Sequence, residues 1–393
     1  MHSLRFLTRA GPLLTKPNSR QILRSPAAPQ AARGLSSSTN ADSGNSMTDT
    51  TKALGDGLLA GQRHCLARSI TLAESARRDH KEQAALLMDY VMEHKGSGTI
   101  TVPTPTVTSK PLFTSGKTLR LGIAGPPGAG KSTFIEALGM RLIERNHRVA
   151  VIPVDPSSHI SGGSILGDKT RMEQLSICPQ AYVRASPTRG VLGGIAEHTA
   201  DVVSLCECAG YDVVIVESVG LGQSEVDIDH AVDLLMMIVP PGGGDGLQAS
   251  KKGIMEATDI IAVNKADGTL ASQAKHTRGD YQGSLAFVRQ KNIDWKPQCL
   301  LMSARTGKGL TEVEAKLAEY HTLMSENGGL EAKRLKQSVH WMWGQYRREL
   351  VSQGELQPAV QSLAELLMVN MSRGVITPRA AAGKLLEVTS YTE

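Results

Sequence analysis

Between residues 119 and 302, short apolar runs recur at 119–124, 149–154, 213–216, 234–239, 260–263 and 300–302, separated by helical or polar stretches. Continuous apolar runs without alternating polar positions mark strands buried on both faces, as in parallel sheets covered by helices. The pattern predicts an α/β fold with a doubly wound, mostly parallel sheet. Upstream, residues 54–95 are mostly helix formers without proline. Leu66, Ile70, Ala73, Leu86, Leu87, Tyr90 and Val91 fall there at helical spacing. Residues 96–116 carry Gly, Ser, Thr, Pro103, Pro105 and Pro111, the composition of a linker. Beyond residue 330 the period is helical again. Trp341, Trp343 and Tyr346 share one helix, and 359–371 and 378–388 form a closing helical pair. No internal repeat is present. The expected plan is a leader over 1–41, a helical segment and linker over 48–117, the α/β domain over 118–328, and a helical extension over 329–393.

Charge changes this picture at one end only. Lys and Arg number 43 against 38 acids, a net of +5 over 393 residues. Arg5, Arg9, Lys16, Arg20, Arg24 and Arg33 all lie within residues 1–41, which contain no Asp or Glu. Removing those six leaves 37 basic against 38 acidic residues, a net of −1. An Arg- and Ser-rich, acid-free leader is the composition of a mitochondrial transit peptide. It is expected to be cleaved within 33–47, delivering the protein to the mitochondrial matrix. A secretory signal is disfavoured, because the leader lacks an apolar stretch of about 7–15 residues.

The near-neutral body, with no basic cluster beside aromatics, gives no reason to expect a nucleic-acid partner. No apolar run approaches the roughly 18 residues of a spanning helix, so no membrane partner is expected. Five cysteines (Cys65, Cys178, Cys206, Cys208, Cys299) are odd in number and irregularly spaced, which suits a reducing compartment. Cys206 and Cys208 read as helical, two positions and about 200° apart, which disfavours a shared metal site.

The strongest chemistry lies at Gly125-Pro126-Pro127-Gly128-Ala129-Gly130-Lys131-Ser132-Thr133, between a strand and a helix with Phe134, Leu138 and Leu142 on one face. It matches G-x-x-x-x-G-K-[ST]. The glycines let the backbone curl so that several N–H groups face one anion at a helix N-terminus. Lys131 supplies charge for the β- and γ-phosphates, and the Ser132 hydroxyl is a Mg²⁺ ligand. A second motif, Asn264-Lys265-Ala266-Asp267, follows the run 260–263. A carboxylate there accepts from guanine N1–H and its exocyclic amine together, whereas adenine leaves it unmatched. Ser303-Ala304-Arg305 follows the next run and offers a backbone N–H for guanine O6. Both motifs stand at carboxyl ends of strands, where open α/β sheets bind ligands. The nucleotide expected is GTP or GDP.

Asp155 and Glu217 also follow strands and are candidate Mg²⁺ ligands, directly or through water. Asp168 is a further candidate. Many GTPases carry D-x-x-G-Q at the Glu217 position, with the Gln orienting water. This chain reads Glu217-Ser218-Val219-Gly220-Leu221, and Leu221 has no group to orient water. Gln223 is the candidate replacement, so Lys131, Glu217 and Gln223 form the expected catalytic set. Turnover alone is expected to be slow, with a partner accelerating it.

These residues, with Val154-Asp155-Pro156-Ser157-Ser158, the run 162–172, Ser186-Pro187-Thr188-Arg189-Gly190, the run 217–225 and Pro241-Gly242-Gly243-Gly244-Asp245, resemble the MeaB/ArgK branch of the metallochaperone-like P-loop GTPases. The likeness extends from about residue 54 to the C-terminus and includes Trp341-Met342-Trp343. It implies a GTPase that chaperones adenosylcobalamin-dependent methylmalonyl-CoA mutase, gating cofactor loading and protecting or reactivating the mutase. It also implies a homodimer, with the C-terminal helices implicated in assembly. By the same resemblance, the P-loop, Asp267 and Ser303–Arg305 bind GTP, Ser132, Asp155 and Glu217 match the Mg²⁺ region, and Asp168 matches a nearby acid. The run 241–252 matches a mobile segment coupling nucleotide state to the mutase, with Gly244, Asp245, Gln248 and Lys251 in it and Lys251 as a contact. One departure falls there. The family's G-D-E-L-Q reads Gly244-Asp245-Gly246-Leu247-Gln248, so a carboxylate is missing.

Two other readings compete for the function. A metallochaperone-type GTPase serving another metalloenzyme typically carries a C-x-C-C motif or a His-rich tract, and this chain has only Cys206-Glu207-Cys208 and dispersed His. A P-loop kinase has no use for the paired N-K-x-D and S-A-R motifs. A D-x-H-x-x-G cobalamin motif is absent, so no cobalamin site is expected in this chain. Trp341, Trp343 and Tyr346 suit core or dimer contact better than a client site.

Overall fold

The structure, a computed structural model, describes residues 46–96, 110–155, 172–187, 198–218, 228–242, 252–288 and 291–390. Residues 1–41, where a leader is expected, lie outside them. Three helices come first, α1 (Asp49–Leu59), α2 (Arg63–Ala73) and α3 (Arg78–Glu93). Thr48 caps α1, its side chain accepting from Thr51 N at 3.2 Å.

The α/β part then runs β1 (Leu119–Ala124), α4 (Lys131–Ile143), β2 (Val149–Asp155), α5 (Glu173–Ile177), β3 (Ala181–Val183), β4 (Ser186–Pro187), α6 (Thr199–Cys208) and β5 (Val213–Glu217). It continues through β6 (Leu234–Val239), α7 (Lys252–Ala257), β7 (Ile260–Val263), α8 (Ala271–Leu285), β8 (Gln298–Leu301) and α9 (Leu310–Glu326). Helices α10 (Gly329–Glu355), α11 (Pro358–Ser372) and α12 (Pro378–Ser390) close the chain.

Seven strands lie in the order β3-β2-β5-β1-β6-β7-β8, every pair parallel, and β4 flanks the end of β2. β1 sits between β5 and β6, where the order reverses, so its carboxyl end opens on the crevice that binds ligands in this architecture. Alternate residues of each strand serve opposite faces. Leu119, Leu121 and Ile123 join Phe134 and Leu138 of α4 and Leu317 and Tyr320 of α9 in one buried cluster. Val214, Val216, Leu235 and Met237 join the other, with Val202 and Leu205 of α6 and Leu58, Leu66, Ile70, Leu87 and Val91 of α1–α3. Each such side chain contributes about 1.5–3 kcal/mol on full burial. The N-terminal helices therefore form an outer layer on α6 and share its core.

The linker expected over 96–116 ends differently from a free tether. Phe113 is buried, and the Leu112 and Phe113 amides donate to His147 Nε2 at 2.8 and 3.3 Å. The last strand begins at Gln298, ahead of the apolar run at 300–302, because register with Ile260 is set by pairing and not by side-chain polarity. The strands β3 and β4 span only three and two residues, too short to stand out as runs.

At the amino ends of the strands, α10 grips the segment before β6. Arg334 donates to both oxygens of the fully buried Asp233 (2.8 and 2.7 Å) and to Thr118 O at 2.6 Å. Lys333 reaches Asp229 at 2.9 Å, Gln337 donates to Asp229 O and Val232 O, and Trp341 Nε1 donates to His230 O at 2.7 Å. Burial pushes the Asp229 carboxyl up, but Lys333 and Lys291 outweigh it and hold it below the ordinary carboxylate range. Trp341 is thereby packed, partly buried, against the core. Trp343 and Tyr346 stay about half exposed, edge to face at 5.8 Å.

Candidate functional site

The loop after β1 is shaped by close approach. Gly125 has φ 143°, and a Cβ there would lie 2.1 Å from Ile238 O. Gly130 has φ 90°, and a Cβ would lie 2.5 Å from Asn264 Nδ2. Only glycine fits either place. α4 begins directly at Lys131, and its first amides have no intrahelical partner, leaving an anion-binding helix terminus. Lys131 is buried, with Nζ donating to Gly125 O at 2.8 Å and Pro126 O at 3.3 Å. Its ammonium is held against the loop that is to carry the phosphates.

The N-K-x-D motif reaches the same loop. Asn264 Nδ2 donates to Ala129 O at 2.9 Å, and its Oδ1 accepts from Lys265 N at 2.8 Å and Ala304 N at 2.9 Å. One buried amide thus ties the phosphate loop, the β7 end and the β8 end together. Lys265 adopts a left-handed conformation at φ 57°, which costs a non-glycine residue about 1–3 kcal/mol. Its Nζ donates to Gly128 O at 2.8 Å. Asp267 stands before a single helical turn, Gly268–Leu270, without capping it. Its half-exposed carboxylate instead lines a pocket of about 410 Å³ with Gly130, Thr133, Lys265, Leu270 and Arg305. An acceptor-only group in a pocket joined to the phosphate loop suits a base presenting two adjacent donors.

The third motif turns two of its three amides inward. Ser303 N donates to Lys308 O at 2.8 Å, and the Ala304 amide is taken by Asn264. Ser303 Oγ accepts from Thr306 N at 3.2 Å, folding the turn that presents Arg305. Of the three amides offered to guanine O6 by the sequence, Arg305 N–H is the one without a partner among the described residues. Leu270 and Thr269 also line the pocket and carry no motif. They follow from the turn after Asp267, a signal visible only once that turn is known to face the base.

Ser132 Oγ donates to Glu217 Oε1 at 3.2 Å, which brings two oxygen donors from α4 and β5 together beside Lys131. Glu217 pairs in register with Ile123 on one side and Pro153 on the other, so the end of β2 at Asp155 lies on the neighbouring strand. A hydroxyl and a carboxylate beside a phosphate loop are a donor set that fits a hard cation. The side chain of Asp155, together with Asp168, Gln223, Gly244, Asp245, Gln248 and Lys251, lies outside the described residues.

A family model described as methylmalonyl Co-A mutase-associated GTPase MeaB matches residues 102–359. The chain belongs to the MeaB family of GTPases. The mouse (Mus musculus) methylmalonic aciduria type A homolog, mitochondrial, is 40% identical over 337 residues, spanning 84% of this chain and 77% of its own. GTPase ArgK of Escherichia coli is 38% identical over 330 residues, spanning 84% of this chain and 94% of its own. The crystal structure of an LAO/AO transport system kinase superposes with a TM-score of 0.64 at 31% identity, over 88% of this chain and 99% of its own.

In this MeaB-family chain, the Asn264 brace physically joins motifs more than a hundred residues apart. The family match stops at residue 359, so α11 from Val360 onward and all of α12 lie beyond it. Those helices carry exposed Leu366, Met368, Val369 and Leu386.

Proposed function

We propose that this chain binds and hydrolyses GTP as a chaperone of adenosylcobalamin-dependent methylmalonyl-CoA mutase in the mitochondrial matrix, gating cofactor loading and protecting or reactivating the mutase. The observation that carries the nucleotide half is the Asn264 brace, which joins an aspartate-lined base pocket to a P-loop. The client half is supported by the family's own description as mutase-associated and by the mouse relative's name.

In this reading Asp267 accepts from guanine N1–H and its amine, and the Arg305 amide donates to O6. The amides of Gly128–Thr133 and the Lys131 ammonium hold the phosphates, which fixes the γ-phosphoryl for attack by water. Ser132, Asp155 and Glu217 would hold Mg²⁺, which would supply neutralisation of phosphate charge. Leu221 occupies the place of the usual water-orienting Gln, so isolated turnover is slow and a partner completes the site.

The exposed apolar side chains of α10–α12, among them Trp343, Leu350, Val351 and Leu366, support a homodimer built on these helices. The test is size-exclusion co-elution with purified methylmalonyl-CoA mutase in the presence of GDP or a non-hydrolysable GTP analogue. Co-elution that depends on the nucleotide is expected. Separate elution in every nucleotide state, with phosphate transferred from GTP to a small-molecule acceptor, would favour the kinase reading.

A further inference from the structure

The last residue of β2 is held in the sheet from an unexpected direction. β5 pairs with β2 from Val149 to Pro153, and β3 pairs only with Val149, Ala150 and Val151. Among the described residues, Val154 and Asp155 pair only with Ser186 and Pro187 of β4. A two-residue strand has almost no stability of its own, so something else must hold β4 in place.

That support comes from α2. Glu74, its C-terminal cap residue, is 6% exposed and divides its carboxylate between two partners. Oε1 accepts from Ser186 Oγ at 2.9 Å, and Oε2 accepts from Arg184 Nη2 at 2.6 Å. Arg184 continues to Ala67 O at 2.7 Å and Thr71 Oγ1 at 3.2 Å on the same helix, while its own amide donates to Val151 O at 3.0 Å. Ser186 is 1% exposed, so its bond to Glu74 is made out of reach of water. The carboxylate is thus satisfied by one cation and one hydroxyl, both on the segment that leads into β4, and neither partner is a surface group free to rotate away.

We infer that Glu74 is a positioning residue for Asp155. Through Ser186 and Arg184 it holds β4, and β4 pairs with the end of β2 at Val154 and Asp155. The N-terminal helical layer is then part of the Mg²⁺ end of the site as well as a cover for α6. This inference rests on the reading of Asp155 as a Mg²⁺ ligand.

The test titrates Mg²⁺ against binding of a fluorescent, non-hydrolysable GTP analogue to the full chain and reads the half-maximal Mg²⁺ concentration. Analogue affinity in EDTA and melting temperature are measured beside it. Glu74→Gln and Ser186→Ala are expected to raise the half-point about 10-fold, the lower end of the loss on removing an outer support of a bound metal. Affinity in EDTA should stay unchanged. Asp155→Asn serves as the reference and should raise the half-point further. If Asp155→Asn shifts the half-point while Glu74→Gln and Ser186→Ala leave it in place, even with a lowered melting temperature, Glu74 only docks the helices and the inference is overturned. If Asp155→Asn itself has no effect, the metal assignment fails first and the inference falls with it.

Discussion

Asn264 Nδ2 donates to the carbonyl oxygen of Ala129 at 2.9 Å, so the strand end that carries the base motif holds the phosphate loop directly. The same side chain accepts the Lys265 and Ala304 amides. Asn264→Ala removes three hydrogen bonds, two of them buried, of about 1 kcal/mol each. GTP and GDP affinity should both fall by roughly 100-fold, and isothermal titration calorimetry would show it. A loss confined to GTP would mean that the brace serves the γ-phosphate only.

Asp267 presents acceptors alone to the pocket. Asp267→Asn replaces one acceptor with an amide donor, which no longer matches guanine N1–H and amine together but does match the 2-oxo group of xanthine. Competition binding should show a preference for GTP over XTP in the unaltered protein, reversed in the variant, with a change in ratio of at least about 100-fold. An unchanged ratio would place the base elsewhere.

The phosphate and base motifs were legible in the sequence because each is local: a fixed spacing, a preceding apolar run and a following helix identify it. The six buried strands were legible for the same reason. What the sequence did not disclose depends on contacts across a hundred or more residues. Glu74 reads as one acid among many at a helix end, and nothing near it announces Arg184 or Ser186. Asn264 is legible as part of the nucleotide-binding motif, while the commitment of its side chain to Ala129, Lys265 and Ala304 is not. Ala304 was offered to guanine O6, yet its amide is consumed by Asn264. β3 and β4, of three and two residues, are too short to carry a hydrophobic period.

Glu207 lies at the end of α6, 3% exposed at its side chain, between Arg120 at 2.6 Å and Lys95 at 3.0 Å. Burial alone pushes its carboxyl up, but the Arg120 hydrogen bond and charge, with Arg334 and Lys95, hold it at about 2. In the unfolded chain it returns to about 4.3. Its stabilisation, about 3 kcal/mol, is fully present above that value and is lost as the pH falls toward 2. Melting curves of Glu207→Gln and the unaltered protein should differ widely at pH 7 and converge toward pH 2–3. A gap that does not change with pH would contradict the assignment.

Arg334 donates to both carboxyl oxygens of Asp233, which is fully buried. Arg334→Ala should destabilise the fold by about 3–5 kcal/mol, since it leaves a buried carboxylate without its counter-ion. Urea denaturation measures this, and a change below about 1 kcal/mol would show that the remaining contacts of α10 suffice.

Trp343 and Leu350 on α10 are each about half exposed. Replacing both with Glu should convert a dimer to a monomer in light scattering while leaving GDP affinity intact, because the helix face lies away from the base pocket. A dimer that persists would move the assembly surface elsewhere.

A chaperone of the mutase couples its nucleotide cycle to the mutase. Purified protein, GTP and adenosylcobalamin-loaded methylmalonyl-CoA mutase are combined, and phosphate release and loss of mutase activity are followed in the same vessel during turnover. The prediction is slow GTP hydrolysis by the protein alone, faster hydrolysis once the mutase is added, and slower inactivation of the mutase when protein and GTP are both present. If hydrolysis is unaffected by the mutase and the mutase inactivates at the same rate with or without them, the chaperone reading is contradicted and the GTPase alone remains.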